Sequence, residues 1–184
     1  MPFDHPFYFL RHGETAWNAE ARTQGQLDAP LNERGRAQAL AAAEILKGQQ
    51  IARIIASPLS RASDTARLAA EATGASLSFD DGLMEFHAGD WQGQPRGELI
   101  REYFAGTMDP PGGETFPEFA ARAWDALERA VAAGPDTLIV CHGGLWYAAQ
   151  QYTKVEPGLW PMPNALPIHV TPYPDRWHAK VLES

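Results

Sequence analysis

Three short segments of this 184-residue chain carry residue types suited to holding an oxyanion, and each directly follows an apolar run. Arg11-His12-Gly13 follows Phe7-Tyr8-Phe9-Leu10. Ser57-Pro58-Leu59-Ser60-Arg61 follows Ile51 to Ala56, and His142-Gly143-Gly144 follows Thr137-Leu138-Ile139-Val140-Cys141. If those runs are strands of one parallel sheet, two arginines and two histidines meet outside its carboxyl edge, where ligands of such sheets bind. The natural guest is a tetrahedral oxyanion. A guanidinium pairs two oxygens at once and stays charged at any relevant pH, which suits phosphate better than a lysine point charge. In phosphoryl transfer the charge spreads over the equatorial oxygens, so each preorganised donor lowers the barrier by about 3 kcal/mol.

Several other phosphoryl-transfer chemistries are excluded by pattern. The chain has no G-x-x-x-x-G-K-[ST] loop. A cysteine phosphatase needs an arginine six residues beyond its nucleophile, and Tyr147 stands there relative to Cys141. No aspartate pair spaced by one residue follows a strand, and no H-E-x-x-H or paired-cysteine metal motif occurs. Histidine is left as the strongest candidate for the nucleophile. It can form a covalent intermediate, and an adjacent arginine lowers its pKa so that the neutral ring is available to attack.

The elements that must position these groups follow from periodicity. The aromatic run at Phe7 reads as a strand buried on both faces. Ala37, Leu40, Ala41, Glu44 and Ile45 recur at helical spacing between Glu33 and Lys47, with Asn32 as N-cap and Gly48 as terminator. Strands are predicted at Ile51 to Ala56, Ser76 to Phe79 and Thr137 to Cys141. A helix capped by Ser57-Pro58 is predicted to run through Ala72 to Gly74, and Thr115 to Glu118 forms a capping box for a helix lined by Phe119, Ala123, Leu127 and Val131. A short helix is expected from Glu98 to Phe104, another from Leu145 to Tyr152, and strands at Pro167 to Thr171 and Trp177 to Leu182. The alternation predicts an α/β fold, a three-layer α/β/α sandwich on a mostly parallel sheet. The chain reads as a single domain over 1–184, with a lid or substrate segment at about 86–113. Within it Trp91, Tyr103, Phe104 and Met108 either line a leaving-group pocket or pack on the core.

Against 15 Lys and Arg stand 23 Asp and Glu, a formal charge of −8, which opposes nucleic acid and anionic lipid and demands a local basic pocket for any anionic ligand. The lone Cys141 forms no intrachain disulfide, the first residues lack a signal-peptide pattern, and no apolar run approaches a membrane span; a cytoplasmic protein is expected. Arg61 in the first turn of a helix opposes the helix dipole, which itself points to a ligand. His5, His87, His169 and His178 have no partner pattern, and Cys141 reads as a packing residue.

Arg11-His12-Gly13-Glu14-Thr15-Ala16-Trp17-Asn18 resembles the R-H-G-E-T-x-W-N signature of the histidine phosphatase superfamily, in its phosphoglycerate-mutase-like branch. The resemblance spans nearly the whole chain. It continues through Gln24-Gly25, Leu31 to Gly35, Ser57 to Ala62, Glu85 to Gly93, Pro111 to Thr115 and His142 to Gly144, and its motifs are most similar to the α-ribazole and small-molecule phosphatases. It implies that His12 is the nucleophile and that Arg11, Arg61 and His142 hold the phosphoryl oxygens. Asn18, Gln24, Gly25 and the Gly143 amide would be substrate-binding, and Glu85 the proton donor. Only the resemblance selects Glu85 over Glu14, Asp81 and Asp90. It further implies a phosphomonoesterase for a small phosphorylated metabolite, with no metal and no cofactor. A bisphosphoglycerate-dependent mutase is the alternative, but the segment from Phe86 to Pro110 holds only Arg96 and Arg101, too few for a second phosphate site. A catalytically silent phosphate-binding module is the third reading. Gln92, where many relatives have Glu, and Trp146-Tyr147, where Ile-Arg is common, depart from the pattern and bear on the substrate pocket.

Overall fold

Alternate residues of β1 (Phe7–Arg11) enter two separate cores, Phe7 and Phe9 on one face of the sheet and Tyr8 and Leu10 on the other. This strand is buried on both sides, as its unbroken apolar run predicts, and the two cores define the layers. The computed structural model describes residue 3 and residues 5–183. β1 belongs to a seven-stranded sheet with β2 (Arg53–Ala56), β3 (Ser76–Phe79), β4 (Thr137–Cys141), β5 (Lys154–Glu156), β6 (Pro167–Tyr173) and β7 (Arg176–Val181), in the order β3-β2-β4-β1-β6-β7-β5. β3, β2, β4 and β1 are mutually parallel, whereas β6 is antiparallel to both β1 and β7.

Among the described residues six α-helices accompany the sheet: α1 (Ala16–Ala19), α2 (Glu33–Lys47), α3 (Ser60–Thr73), α4 (Gly97–Phe104), α5 (Phe116–Ala132) and α6 (Gly143–Ala149). Residues of α2 and α3 join the core under Tyr8 and Leu10, while α5 and α6 cover the face of Phe7 and Phe9. The architecture is the expected three-layer α/β/α sandwich. The helices that follow β1 and β4 therefore leave the sheet on opposite faces, which opens a crevice between two adjacent strand ends.

Local signals explain most boundaries. The Asn32 side chain accepts from the Gly35 amide at the start of α2, the Thr115–Glu118 capping box opens α5, and Gly74 closes α3 in the left-handed conformation. Three expectations need correction. The spaced set Ala37, Leu40, Ala41 and Glu44 marks the outer side of α2, and Leu40 is 50% exposed. The buried face is Gly35, Ala39, Ala42, Ala43 and Leu46, because α2 packs closely on α3 through the small residues Ala62, Ala66 and Ala69. Ser57 and Pro58 do not cap α3. Its first turn is capped instead from outside, the Asp28 carboxylate accepting from the Ser60 amide at 2.7 Å. α6 starts at Gly143, two residues before the expected Leu145, and ends at Ala149 rather than Tyr152. β5 carried no sequence signal strong enough to be expected.

Close backbone approach joins α2 to the loop after β1. A Cβ on Gly35 would lie 1.9 Å from the Glu14 carbonyl oxygen. Glycine to alanine inside a helix ordinarily gains about 1 kcal/mol. Here the sign reverses, and Gly35→Ala is expected to destabilise by about 2 kcal/mol through overpacking, read as a lower urea midpoint at an unchanged slope.

Candidate active site

The register places the three chemistry-bearing segments side by side. Arg11 pairs with Cys141 and Ala56 with Val140, so His12, Ser57 and His142 all emerge at one sheet edge. The His12 amide donates to the Cys141 carbonyl at 3.0 Å, and the Ser57 amide to that of Val140 at 3.0 Å. Behind His12, the Asn164 side chain donates to its carbonyl at 2.9 Å. The Gly13 amide donates to Thr65 Oγ1 at 3.1 Å, and that hydroxyl donates to the Arg61 carbonyl at 2.7 Å, tying α3 to the end of β1.

The tautomer of His12 follows from its partner. Nδ1 lies 2.7 Å from the Gly13 carbonyl, which can only accept, so Nδ1 carries the proton and Nε2 keeps its lone pair. Burial, then the charges of Arg61 and Arg11, hold the imidazole pKa well below its usual value. The ring is neutral at physiological pH.

Three buried donors near this ring have no protein partner: Arg11 Nε, Arg61 Nε and His142 Nδ1. Arg61 spends Nη1 on the Leu27 carbonyl at 3.0 Å and Nη2 on the Gly25 carbonyl at 2.7 Å, and Arg11 Nη1 donates to the Met162 carbonyl. Burial lowers both guanidinium pKa values to about 10, which leaves them charged at neutral pH. His142 Nε2 is 2.8 Å from Ser57 Oγ, which also accepts from the Leu59 amide at 3.4 Å. No other acceptor for the serine proton is seen among the described residues, so Ser57 donates to Nε2 and His142 presents Nδ1–H. Buried polar atoms without partners are rare in native proteins, and a group of cationic and N–H donors fits the oxygens of an anion.

Glu85 lines the same cavity as His12. Its Oε2 accepts from the Gly144 amide at 3.1 Å and its Oε1 from the Phe86 amide at 3.2 Å. Burial nevertheless outweighs these bonds and raises its pKa, so the carboxyl stays protonated to higher pH than an exposed one. The loop that carries it is clamped from α5. Arg122 donates to the carbonyls of Gly82, Met84 and Glu85 at 2.8, 2.9 and 3.3 Å and forms a bidentate pair with Glu114 at 2.7 and 2.8 Å. Glu114 in turn accepts from the His87 amide at 2.8 Å.

These groups open into a cavity of about 130 Å³. Arg11, His12, Asn18, Gln24, Gly25, Arg61, Glu85 and Gly143 all line it. His142 is fully buried beside His12, the ring centroids 5.2 Å apart, with Nδ1 unpartnered. Asn18 Oδ1 is occupied by the Thr15 amide and hydroxyl, which leaves its NH₂ for the cavity. Glu14, Asp81 and Asp90 do not line the cavity. Of the aromatic segment only Phe104 lines it, Trp91 and Tyr103 being core residues and Met108 45% exposed. Trp146 is fully buried against Phe9 and Trp177 and so does not shape the pocket, while Tyr147 packs on Phe104 and Trp160. Sequence reasoning missed Arg22, Thr23, Trp160 and Met162 on the lining and set Arg96 aside. Among the described residues there is no cluster of three or more metal-ligating side chains and no helix long and apolar enough to cross a membrane.

The family model described as the histidine phosphatase superfamily, branch 1, matches residues 7–184. A glucosyl-3-phosphoglycerate phosphatase of Mycobacterium tuberculosis is 39% identical over 154 residues, covering 74% of this chain and 69% of the relative. A probable phosphoglycerate mutase of Salmonella choleraesuis is 37% identical over 147 residues, with 74% and 68% covered. Among solved structures, a mycobacterial glucosyl-3-phosphoglycerate phosphatase in complex with VO3 superposes with a TM-score of 0.80 at 35% identity, covering 98% of this chain and 99% of that one.

The partnerless donors make anion binding measurable without any reaction. Inorganic phosphate at 100 times its Kd is expected to stabilise the fold by about 2.7 kcal/mol, seen as a rise in Tm, and Arg61→Met should remove that rise.

Proposed function

As the chain belongs to branch 1 of the histidine phosphatase superfamily, we propose that it hydrolyses a small phosphomonoester in two in-line steps through a phosphohistidine on His12. The observation that carries this reading is the neutral, singly protonated His12 ring set against buried donors that lack partners.

In the first step the Nε2 lone pair forms an N–P bond as the ester O–P bond breaks. Arg11, Arg61 and His142 Nδ1–H neutralise the equatorial oxygens, with Asn18 and the Gly143 amide as further donors. Glu85 gives its proton to the departing alkoxide, which leaves as the alcohol. In the second step the Glu85 carboxylate takes a proton from water, the resulting hydroxide oxygen bonds to phosphorus, and the N–P bond breaks to release phosphate and restore neutral His12. Guanidinium charge does the work a metal ion does elsewhere, so no metal enters these steps. Both cores share one sheet, which supports reading the chain as one domain with 86–113 as its substrate segment. The charge of −8 supports a small-molecule partner, with no nucleic acid and no membrane, and we place the enzyme in the cytoplasm.

The mutase alternative is less favoured, and it requires 2- and 3-phosphoglycerate to interconvert only after priming with the bisphosphate. Hydrolysis of p-nitrophenyl phosphate in EDTA, with an acid-labile phosphoenzyme, is the expected result. His12→Ala should abolish both, and activity retained in that variant would overturn the assignment. Glu85→Gln separates the steps by leaving group. Nitrophenolate departs without a proton, so phosphoenzyme formation from that ester should fall by less than about tenfold, whereas an alkyl phosphate should lose about 10²–10⁴-fold. In the wild type, kcat/KM for the alkyl ester should decline on the alkaline side as Glu85 deprotonates above the usual carboxylate range, and remain active well below pH 6.5 because His12 stays neutral there.

A further inference from the structure

We propose that Glu114 and Arg122 are positioning residues for the acid step: acting through the backbone around Glu85, they hold its carboxyl where it can protonate the leaving oxygen. This inference rests on the phosphatase reading, in which Glu85 is the proton donor. It also gives a role to Pro111 to Thr115, a motif that none of the chemical steps uses.

Glu85 needs such support because no regular element carries it. Whereas His12 directly follows β1, Glu85 lies in irregular chain between two short turns, Asp81–Leu83 and Gly89–Trp91. Arg122 substitutes for a strand neighbour. A guanidinium has five N–H donors, and here each has an acceptor. Nε and Nη2 donate to the Glu114 carboxylate, Nη1 to the Gly82 and Met84 carbonyls, and Nη2 also to the Glu85 carbonyl. Gln26 Nε2 donates to that same Glu85 carbonyl at 3.0 Å, so the peptide is held from α5 and from the loop after α1.

Glu114 completes the arrangement by bonding the far side of the same loop. Its Oε2 accepts from the His87 amide, its own amide donates to the His87 carbonyl at 2.9 Å, and the Asp90 amide donates to the Pro111 carbonyl at 3.0 Å. A Cβ on Gly113 would fall 2.3 Å from the His87 carbonyl oxygen and one on Gly89 2.1 Å from that of Pro111, so backbone rests on backbone. The ion pair is mostly buried, and the guanidinium stands 5.2 Å from the ring of the fully buried Phe119. Lysine, with three donors and no planar fork, cannot reproduce this set of bonds. Neither Glu114 nor Arg122 lines the cavity, so their effect on the reaction has to pass through Glu85. A displacement of about 1 Å in a reacting group costs on the order of a hundredfold in rate.

Benzyl phosphate and p-nitrophenyl phosphate provide the test. Both are aromatic esters, but the first releases an alkoxide that needs the Glu85 proton and the second a nitrophenolate that does not. The readout is the ratio of kcat/KM, benzyl over nitrophenyl, in which losses common to both esters, partial unfolding included, cancel. Arg122→Met is expected to lower this ratio at least about tenfold and Arg122→Lys by less; Glu114→Gln, which serves if the methionine variant does not fold, should lower it about threefold to tenfold. In a Glu85→Gln background the same changes should leave the ratio within about twofold, because the group they position is gone. A ratio unchanged in the folded variants, or lowered equally with and without the Glu85 carboxyl, would overturn the positioning role while leaving the phosphatase intact. A wild type that cleaves neither ester would instead sink the underlying reading, and one that cleaves only the nitrophenyl ester would remove the donor role of Glu85 together with that of its supports.

Discussion

Everything in the active region depends on positive charge being buried without a matching number of carboxylates. Moving a guanidinium out of water is costly unless its N–H groups are satisfied, and an unpaired one is costlier still. The protein meets part of that requirement with backbone oxygens: Gly25 and Leu27 for Arg61, Met162 for Arg11, Asn18 for Arg96. Apart from that of Asn18 in α1, these carbonyls belong to loops, and their bonds to the guanidiniums constrain the path of the chain after β1 and before β6. What the carbonyls leave unsatisfied is directed inward, where an anion completes the set. The irregular loops around the site are therefore shaped by electrostatics more than by apolar packing.

The same burial acts in opposite chemical senses on two residues of one cavity. It disfavours the charged form of every group, so the His12 ring is kept free of a proton and Glu85 is kept in possession of one. Nearby guanidiniums reinforce the first effect and oppose the second, and desolvation dominates both. A nucleophile and an acid with pKa values pushed in opposite directions are what one-site cleavage of a phosphoester needs. Separate machinery for each is unnecessary.

Much of this was legible in the sequence because strand ends announce themselves. Unbroken apolar runs located β1 and β4, and the residues just beyond them supplied Arg11, His12 and His142. Helix caps at Asn32 and Thr115 were readable because the capping bond is local. Features that depend on residues distant in the chain were not. Ser57 looked like a cap, but its hydroxyl serves His142, and Asp28 caps α3 from another segment. The buried side of α2 was misread because alanine marks either face, and only the approach of α3 decides between them. Arg96 was weighed only against its neighbours in sequence, whereas the fold brings it onto the lining of the same cavity as His12 and Glu85, a placement that no periodicity encodes.

Glycine sets the precision of the arrangement. A Cβ on Gly144 would fall 2.0 Å from Glu85 Oε1, so the amide that holds this carboxylate is reachable only because the residue lacks a side chain. Likewise a Cβ on Gly13 would lie 2.3 Å from the Gly35 carbonyl, so the turn that carries His12 rests directly on the first turn of α2. The nucleophile is supported by backbone from one side of the sheet and the acid by backbone from the other, since α2 and α6 lie on opposite faces. Neither support can yield without moving a reacting group, because backbone contacts have no rotamers to relax into. The placement of His12 and Glu85 beside the ends of β1 and β4 thus rests on close backbone approaches made from both faces of the sheet.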